Sequence, residues 1–547
     1  MIDLNPIQVE IIRNALVSAA EEMSVTIWRT SRSSVVREIL DYSTCVFDAQ
    51  GHSVAQAARM PVHLNSMASC LEDLIRHHLP LAEWHEGDVV VTNDPYSGGQ
   101  HLPDILTFKP VFLNQQRIAI VGVLVHHQDV GGGAAGSYYA SATEIFQEGF
   151  RIPPLKIVEA GKRNQAVVDL LLANSREPEN VGGDFMSQLA ALETGAANLA
   201  HIGQRYGADT LAAAGIHIQA QSEAKLRQAI SSMKDGVHEF EDFVDDDGID
   251  LDSPLRIAVR LVIAEDQITI DLSGSSPQAK GPINCTLNMS RSAVICAVLM
   301  SIGKDVPANA GCYRPITVTA PAGSIVNARS PAPVANRMAT GHRVVNAVMG
   351  AFAKALPEEI PAAYYGVSYA YALNAIHADG RRQVYFDLEC GGWGGHPQGD
   401  GANGLSCGFH NIANSPIEMI EGDYPITFLG YQLIPNSGGD GKFRGGLGLA
   451  REFRLDAPCG TFAANLDRFK IPPYGLQGGL PGQPGRLILR RAGTGEETIL
   501  NSKISGLSLT TGDVIRLETA GGGGHGDPQE RTLQARVKDQ KLNYVKT

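Results

Sequence analysis

Glycine gathers in runs along this chain, in Gly391-Gly392-Trp393-Gly394-Gly395 and again in Gly521-Gly522-Gly523-Gly524, and it makes up 59 of the 547 residues. Each glycine inside a helix costs about 1 kcal/mol relative to alanine, so such a chain favours a loop-rich scaffold over a helical bundle. Helices are expected only where glycine thins out. Asn5 as N-cap and Pro6 in the first turn open one, carried by Ile7, Ile11, Ile12, Ala15, Leu16 and Ala19 in a core-packing role. Helical signals return across 163 to 233. Between Arg37 and His52, alternating apolar residues and an Asp-Ala-Gln-Gly turn predict a strand and hairpin, with Asp41 where the strand starts. A second hairpin is expected from Leu255 to Leu272, and short strands at Arg486–Arg491 and Asp513–Glu518 mark a β-rich end. The fold class that follows is α+β and multidomain: an N-terminal mixed region with helices and the candidate site (1–235), a central mixed α/β region (236–440) and a β-rich, glycine-rich C-terminal region (441–547).

With 44% hydrophobic and 19% charged residues, the chain can form more than one packed core. Its 45 basic against 58 acidic residues give a net charge of -13, which argues against general affinity for nucleic acid or an anionic membrane. The eight cysteines are scattered without a C-x-x-C pair, so a reducing cytoplasm is the expected location. The start, Met1-Ile-Asp-Leu-Asn-Pro6, has no basic region before an apolar core, and no apolar run approaches the roughly 20 residues that cross a bilayer.

The chemistry concentrates where loops meet strands. Pro103 disfavours a helix across His101-Leu-Pro-Asp104, so both polar side chains can leave one turn together. The apolar run Ile118–Val125 reads as a buried strand that ends at His126-His127-Gln128-Asp129, just before Gly131-Gly132-Gly133. Neighbouring strand residues face opposite ways, so only one of His126 and His127 can join a given site. Imidazole nitrogen and carboxylate oxygen suit one divalent zinc or manganese ion, and an incomplete protein shell leaves a place for water that becomes nucleophilic near neutral pH. The competing reading makes the same residues turn caps and partners of buried backbone groups.

Other motifs fail on inspection. Gly131-x-Gly133-x-x-Gly136 follows a strand, but its continuation makes a poor amphipathic helix for dinucleotide binding. The stretch Asn436–Phe443 lacks the first glycine and the hydroxyl of a phosphate loop, so no ATP chemistry is expected in this chain itself. The acidic stretch Asp242–Asp252 has Phe243 and Pro254 at calcium-ligand positions and is expected to be a solvated turn. No Gly-x-Ser-x-Gly elbow is present.

Three segments carry a resemblance when taken jointly: Asn93-Asp94-Pro95-Tyr96-x-Gly98-Gly99-x-His101-Leu-Pro103-Asp104, His126-His127-x-Asp129-x-Gly131-Gly132, and Glu148-Gly149-x-Arg151-Ile-Pro153-Pro154. They closely resemble the hydantoinase B family, which includes the B subunits of ATP-dependent N-methylhydantoinases and lactamases, the C-terminal half of 5-oxoprolinase and a component of acetone carboxylase. The likeness extends from Asn5 through Ser437–Gly446 to Gly521–Pro528. It implies a separate, kinase-like A subunit that uses ATP and magnesium, paired with this chain and doubled to a heterotetramer. It further implies metal ligands at Asp41, His101, Asp104 and His126, which leaves His127 and Asp129 as candidates for proton transfer. The implied reaction is ATP-dependent opening of a hydantoin, oxoproline or lactam ring. An ATP-dependent ketone carboxylase subunit and a non-catalytic partner of the A subunit are the alternatives. Asn336-Arg337, Gly341-His342-Arg343 and Gly394–Gly401 are expected to be supported turns more than substrate contacts, and His396 departs from the residue usual in the family.

Overall fold

The computed structural model describes residues 4–546. Its N-terminal part is built on a seven-stranded antiparallel sheet of β1 (Tyr42–Asp48), β2 (Ser53–Gln56), β3 (Val89–Thr92), β4 (Asp104–Leu113), β5 (Gln116–His126), β6 (Leu155–Glu159) and β7 (Lys162–Arg163). The strands lie in the order β2-β1-β5-β4-β3-β6-β7. Alternation along β5 splits its side chains between two cores, with Val121, Val123 and Val125 on one face and Ile120 and Leu124 on the other. The first face packs under the helices Pro6–Thr30 and Pro178–Tyr206, and the second under the helix Leu64–His77.

Asn5 caps the first helix as expected, its side chain accepting the Ile7 N–H at 2.9 Å. The buried stripe runs through Val9, Ile12, Leu16, Ala20, Met23 and Ile27, whereas Ile7 and Ile11, expected in the core, are exposed. They lie one step around the helix from the stripe that meets the sheet.

After the helix Ala208–Ser231 the chain forms a four-stranded sheet of β8 (Gly236–Val244), β9 (Leu255–Ala264), β10 (Gln267–Asp271) and β11 (Ile316–Thr319), in the order β11-β10-β9-β8. The helices Leu287–Ile302 and Arg337–Ala355 belong to the same core, the second being buried over nearly its whole length. A third sheet joins β12 (Ala370–Ile376) and β13 (Arg382–Leu388) to the strands Cys459–Asn465 and Lys503–Thr510, so segments on either side of residue 440 share one sheet. A five-stranded antiparallel sheet from Ile426 to Glu518 completes an α+β, multidomain architecture.

The glycine runs lie against one another as extended backbone. Gly392 N–H donates to the Ala520 carbonyl at 3.0 Å and Gly395 N–H to the Gly523 carbonyl at 2.8 Å. A Cβ at Gly522 would stand 1.9 Å from the Trp393 carbonyl oxygen, so no other residue fits there. The acidic stretch is solvated only at its far end: Asp242, Asp245, Asp246 and Asp247 are buried, whereas Asp250 and Asp252 are exposed. Asp245 accepts the backbone N–H groups of Phe469 and Lys470, Asp246 pairs with Lys503 at 3.3 Å, and Asp242 pairs with Arg468. No helix among the described residues is long and apolar enough to cross a membrane.

Candidate metal centre

The register of β4 against β5 sets Asp104 directly opposite His126, so their side chains emerge on one face at the same end of the sheet. The Pro103 turn brings the third group: Asp104 N–H donates to the His101 carbonyl at 3.0 Å, and His127 N–H pins the Pro103 carbonyl at 2.8 Å. His101 Nε2 then lies 3.1 Å from His126 Nδ1 and 3.2 Å from Asp104 Oδ1, and His126 Nδ1 lies 3.2 Å from the same oxygen. These three atoms form a nearly equilateral triangle. A tetrahedral ion with bonds of about 2 Å has donor–donor edges of about 3.3 Å, so the triangle matches one face of such a site. His101 Nδ1 lies 3.3 Å from the Ala335 carbonyl, which makes it the protonated nitrogen and leaves the Nε2 lone pair facing the triangle. The donor chemistry and spacing therefore fit a borderline dication.

All three side chains are buried. Burial, with Arg337 adding to it, takes the His101 imidazole down to about 3, so it stands neutral, as a ligand must. Burial would lift the Asp104 carboxyl, but His101 and Arg337 beside it prevail and hold it well below the usual range. Arg337 Nη2 donates to Asp104 Oδ2 at 2.6 Å and to Gln100 Oε1 at 3.0 Å, while its Nη1 has no hydrogen bond among the described residues. His126 stacks on Phe386 with ring centroids 5.3 Å apart, and Tyr138 closes the same corner.

Neighbouring loops are tied down by buried side chains from the other quoted segments. Asn93 Nδ2 donates to the Leu102 carbonyl at 2.7 Å and the Phe150 carbonyl at 2.9 Å, and Asn93 Oδ1 accepts Ile152 N–H at 2.6 Å. Glu148 accepts the N–H groups of Val334 at 3.0 Å and Ala335 at 2.8 Å, which fixes the segment leading into Arg337. Burial raises the Glu148 carboxyl to about 8 against those two donors.

Of the four expected ligands, His101, Asp104 and His126 come together. Asp41 stands beside them at the mouth of β1, its carbonyl accepting His126 N–H at 3.1 Å and its Oδ1 3.8 Å from His63 Nε2. Burial raises its carboxyl to about 6, with His126 beside it working the other way. His127 and Asp129 are not brought to the triangle. His127 points to the opposite face of the sheet, its Nε2 3.4 Å from Gln188 Oε1 and its ring against Phe185. Asp129 shapes the glycine loop, accepting Gly131 N–H at 2.9 Å and Gly136 N–H at 3.0 Å and pairing with Arg176 at 3.0 Å. Sequence reasoning missed His63 and, for Arg337, preferred a supported turn to a substrate contact, whereas Arg337 opens the helix Arg337–Ala355. The one available signal was the run of polar residues Arg337, Thr340, His342, Arg343 and Asn346 in a segment that also carries a continuous apolar pattern.

The family model for hydantoinase B/oxoprolinase matches residues 5–528. The chain belongs to this family. It is 32% identical over 566 residues to a candidate D-/L-hydantoinase B-type chain of Pseudomonas sp. (strain NS671), covering 99% of this chain and 93% of that one. The crystal structure of the ATP-dependent caprolactamase from Pseudomonas jessenii superposes with a TM-score of 0.93 at 27% identity, over 99% of this chain and 95% of that one. An acetone carboxylase structure superposes with a TM-score of 0.89 at 18% identity, over 99% and 78%, and shares the fold. The family thus includes ATP-dependent enzymes acting on cyclic amides, and the name of the hydantoinase relative marks it as one component of an assembly.

Proposed function

We propose that this chain is the metal-containing catalytic subunit of an ATP-dependent cyclic amide hydrolase, opening a hydantoin, oxoproline or lactam ring after a separate A-type subunit has phosphorylated it. The observation that carries this reading is the buried triangle of His101 Nε2, Asp104 Oδ1 and His126 Nδ1 with Arg337 against its acidic edge. Asp41, at the rim, completes a four-residue ligand set. A zinc or manganese ion held there would supply Lewis acidity and a hydrolytic nucleophile near neutral pH.

The protein side chains divide the remaining work. The two carboxylates of Asp41 and Asp104 and the Arg337 guanidinium leave one net negative charge alone and one net positive charge with a dication bound, so the site selects an anionic oxygen. Arg337 Nη1, the buried donor left open, is placed to hold that oxygen on a phosphorylated substrate. Phe386 and Tyr138 form an apolar wall that keeps bulk water from the site. His127 and Asp129 act through position: His127 fixes the end of β5 against Gln188, and Asp129 holds the glycine loop that follows. The chain pairs with its A-type partner, doubled to a heterotetramer, in the cytoplasm.

An unactivated amide is a poor acyl donor, so turnover should be strictly coupled to ATP. Colorimetric phosphate release with the A-type partner present should track ring opening one for one, and ring opening by this chain without ATP would overturn the proposal.

A further inference from the structure

A second set of soft donors lies outside the centre described above. His342 sits one turn into the buried helix Arg337–Ala355, and Cys407-Gly408-Phe409-His410 forms a tight turn in which His410 N–H donates to the Cys407 carbonyl at 3.1 Å. One donor atom from each of His342, Cys407 and His410 lies within 4.8 Å of the others, and all three residues are buried. The two imidazoles face each other edge to face with Nε2 atoms 3.3 Å apart, the donor–donor edge of about 3.3 Å that a tetrahedral ion requires. Ser368 Oγ points at the same place, 2.6 Å from His410 Nε2 and 3.4 Å from His342 Nε2.

The surroundings prepare these atoms as ligands. His342 Nδ1 lies 2.9 Å from the Tyr364 hydroxyl and 3.8 Å from Cys407 Sγ, while its Nε2 faces His410 Nε2. Burial raises the Cys407 thiol to about 11, and the Tyr365 hydroxyl and the backbone N–H groups of Phe409 and His410, which face the sulfur, offset only part of that rise. A C-x-x-H turn with N–H groups directed at the sulfur is an economical way to present one thiolate and one imidazole together. No carboxylate belongs to the set, so its two nitrogens and sulfur are softer than the nitrogen–oxygen triangle of the first centre.

We propose that His342, Cys407 and His410, with the Ser368 hydroxyl as fourth donor, form a second metal site for zinc or a similar borderline dication. It pins the 407–410 turn to the buried helix and to the segment entering β12. Because it is fully enclosed by protein donors, its role is structural. It does not depend on the proposed reaction.

Cobalt(II) distinguishes the two centres, because only this one offers a sulfur and only thiolate–cobalt bonds give an intense near-ultraviolet charge-transfer band. The full chain, carrying Cys459→Ser to remove the exposed thiol, is stripped with a chelator and titrated with cobalt(II). Saturation near about two ions per chain with the charge-transfer band is expected. Cys407→Ala should lose the band and one ion, whereas Asp104→Ala should lose one ion and keep the band. Absence of the band in the Cys459→Ser chain, or its persistence in a folded Cys407→Ala variant, overturns the proposal. If Cys407→Ala does not fold, the Cys459→Ser titration decides alone.

Discussion

Arg337 braces the metal centre from a distant part of the chain. Its guanidinium bonds both Asp104 and Gln100, and Gln100 Nε2 in turn donates to the Val62 carbonyl at 2.7 Å, so the charge is locked into the wall of the site. Lysine has one point of charge where arginine has a planar fork and cannot hold Asp104, Gln100 and an incoming anion together. Arg337→Lys should therefore lower kcat/KM for ring opening by about 10²-fold or more while metal content stays near that of the native chain. Steady-state kinetics beside elemental analysis check this, and loss of the metal would instead make Arg337 a structural prop. His101, Asp104 and His126 were legible in the sequence because a proline turn and a strand end keep them close along the chain. Arg337 was not, because it lies 233 residues beyond Asp104 and nothing local connects the two. His63 escaped for the same reason, since its tie to Asp41 and the hydrogen bond of its Nδ1 to Ser43 Oγ at 2.9 Å exist only after folding.

At the level of elements, period-two and period-3.6 patterns found β5, the β9–β10 hairpin, the first helix and the helices before residue 235, because each buries a continuous face. The alternation also put His126 and His127 on opposite faces, and their rings part that way, one stacking on Phe386 and the other lying against Phe185. Asp242 and Asp245–Asp247 were misjudged because acidic runs are usually solvated, as Asp250 and Asp252 are. Here Arg468 donates to Asp242 from 226 residues away, and no local pattern announces such a partner. The loops around the metal centre are held by Asn93, which spans the segments before Asp104 and after Glu148 with two buried hydrogen bonds and one partly buried. Asn93→Ala would strand the Ile152 N–H and two carbonyls, at a cost of about 2–4 kcal/mol. A lowered urea midpoint with weakened metal retention is the expected result. An unchanged midpoint would mean that water replaces the amide without loss.

The molecule as a whole buries several histidines in neutral form. Burial pushes His63 and His127 down to about 4 and His101 and His410 to about 3, and it lowers His342 as well. An unfolded histidine takes a proton near pH 6.5 and these folded ones do not, so their contribution is complete above about 6.5 and is lost as pH falls from there toward about 4. Each costs roughly 1.4 kcal/mol per pH unit across that window, and because these five histidines outnumber the raised carboxyls of Glu148 and Asp41, which work the other way, the metal-free chain should lose several kcal/mol of stability between pH 7 and pH 5. Urea unfolding at the two pH values tests this, and equal midpoints would contradict it. The sharing of one sheet by strands before and after residue 440 was not legible either, because pairings such as Ala370 with Asn465 leave no local signal. The central claim, a catalytic metal at His101, Asp104 and His126, is tested most directly by elemental analysis of the native chain and an Asp104→Ala variant, each assayed for ATP-dependent ring opening with the A-type partner. The account predicts that the variant lacks one zinc or manganese ion present in the native chain and lacks activity. A native complex fully active without metal at this centre would contradict it and leave the three residues as loop architecture.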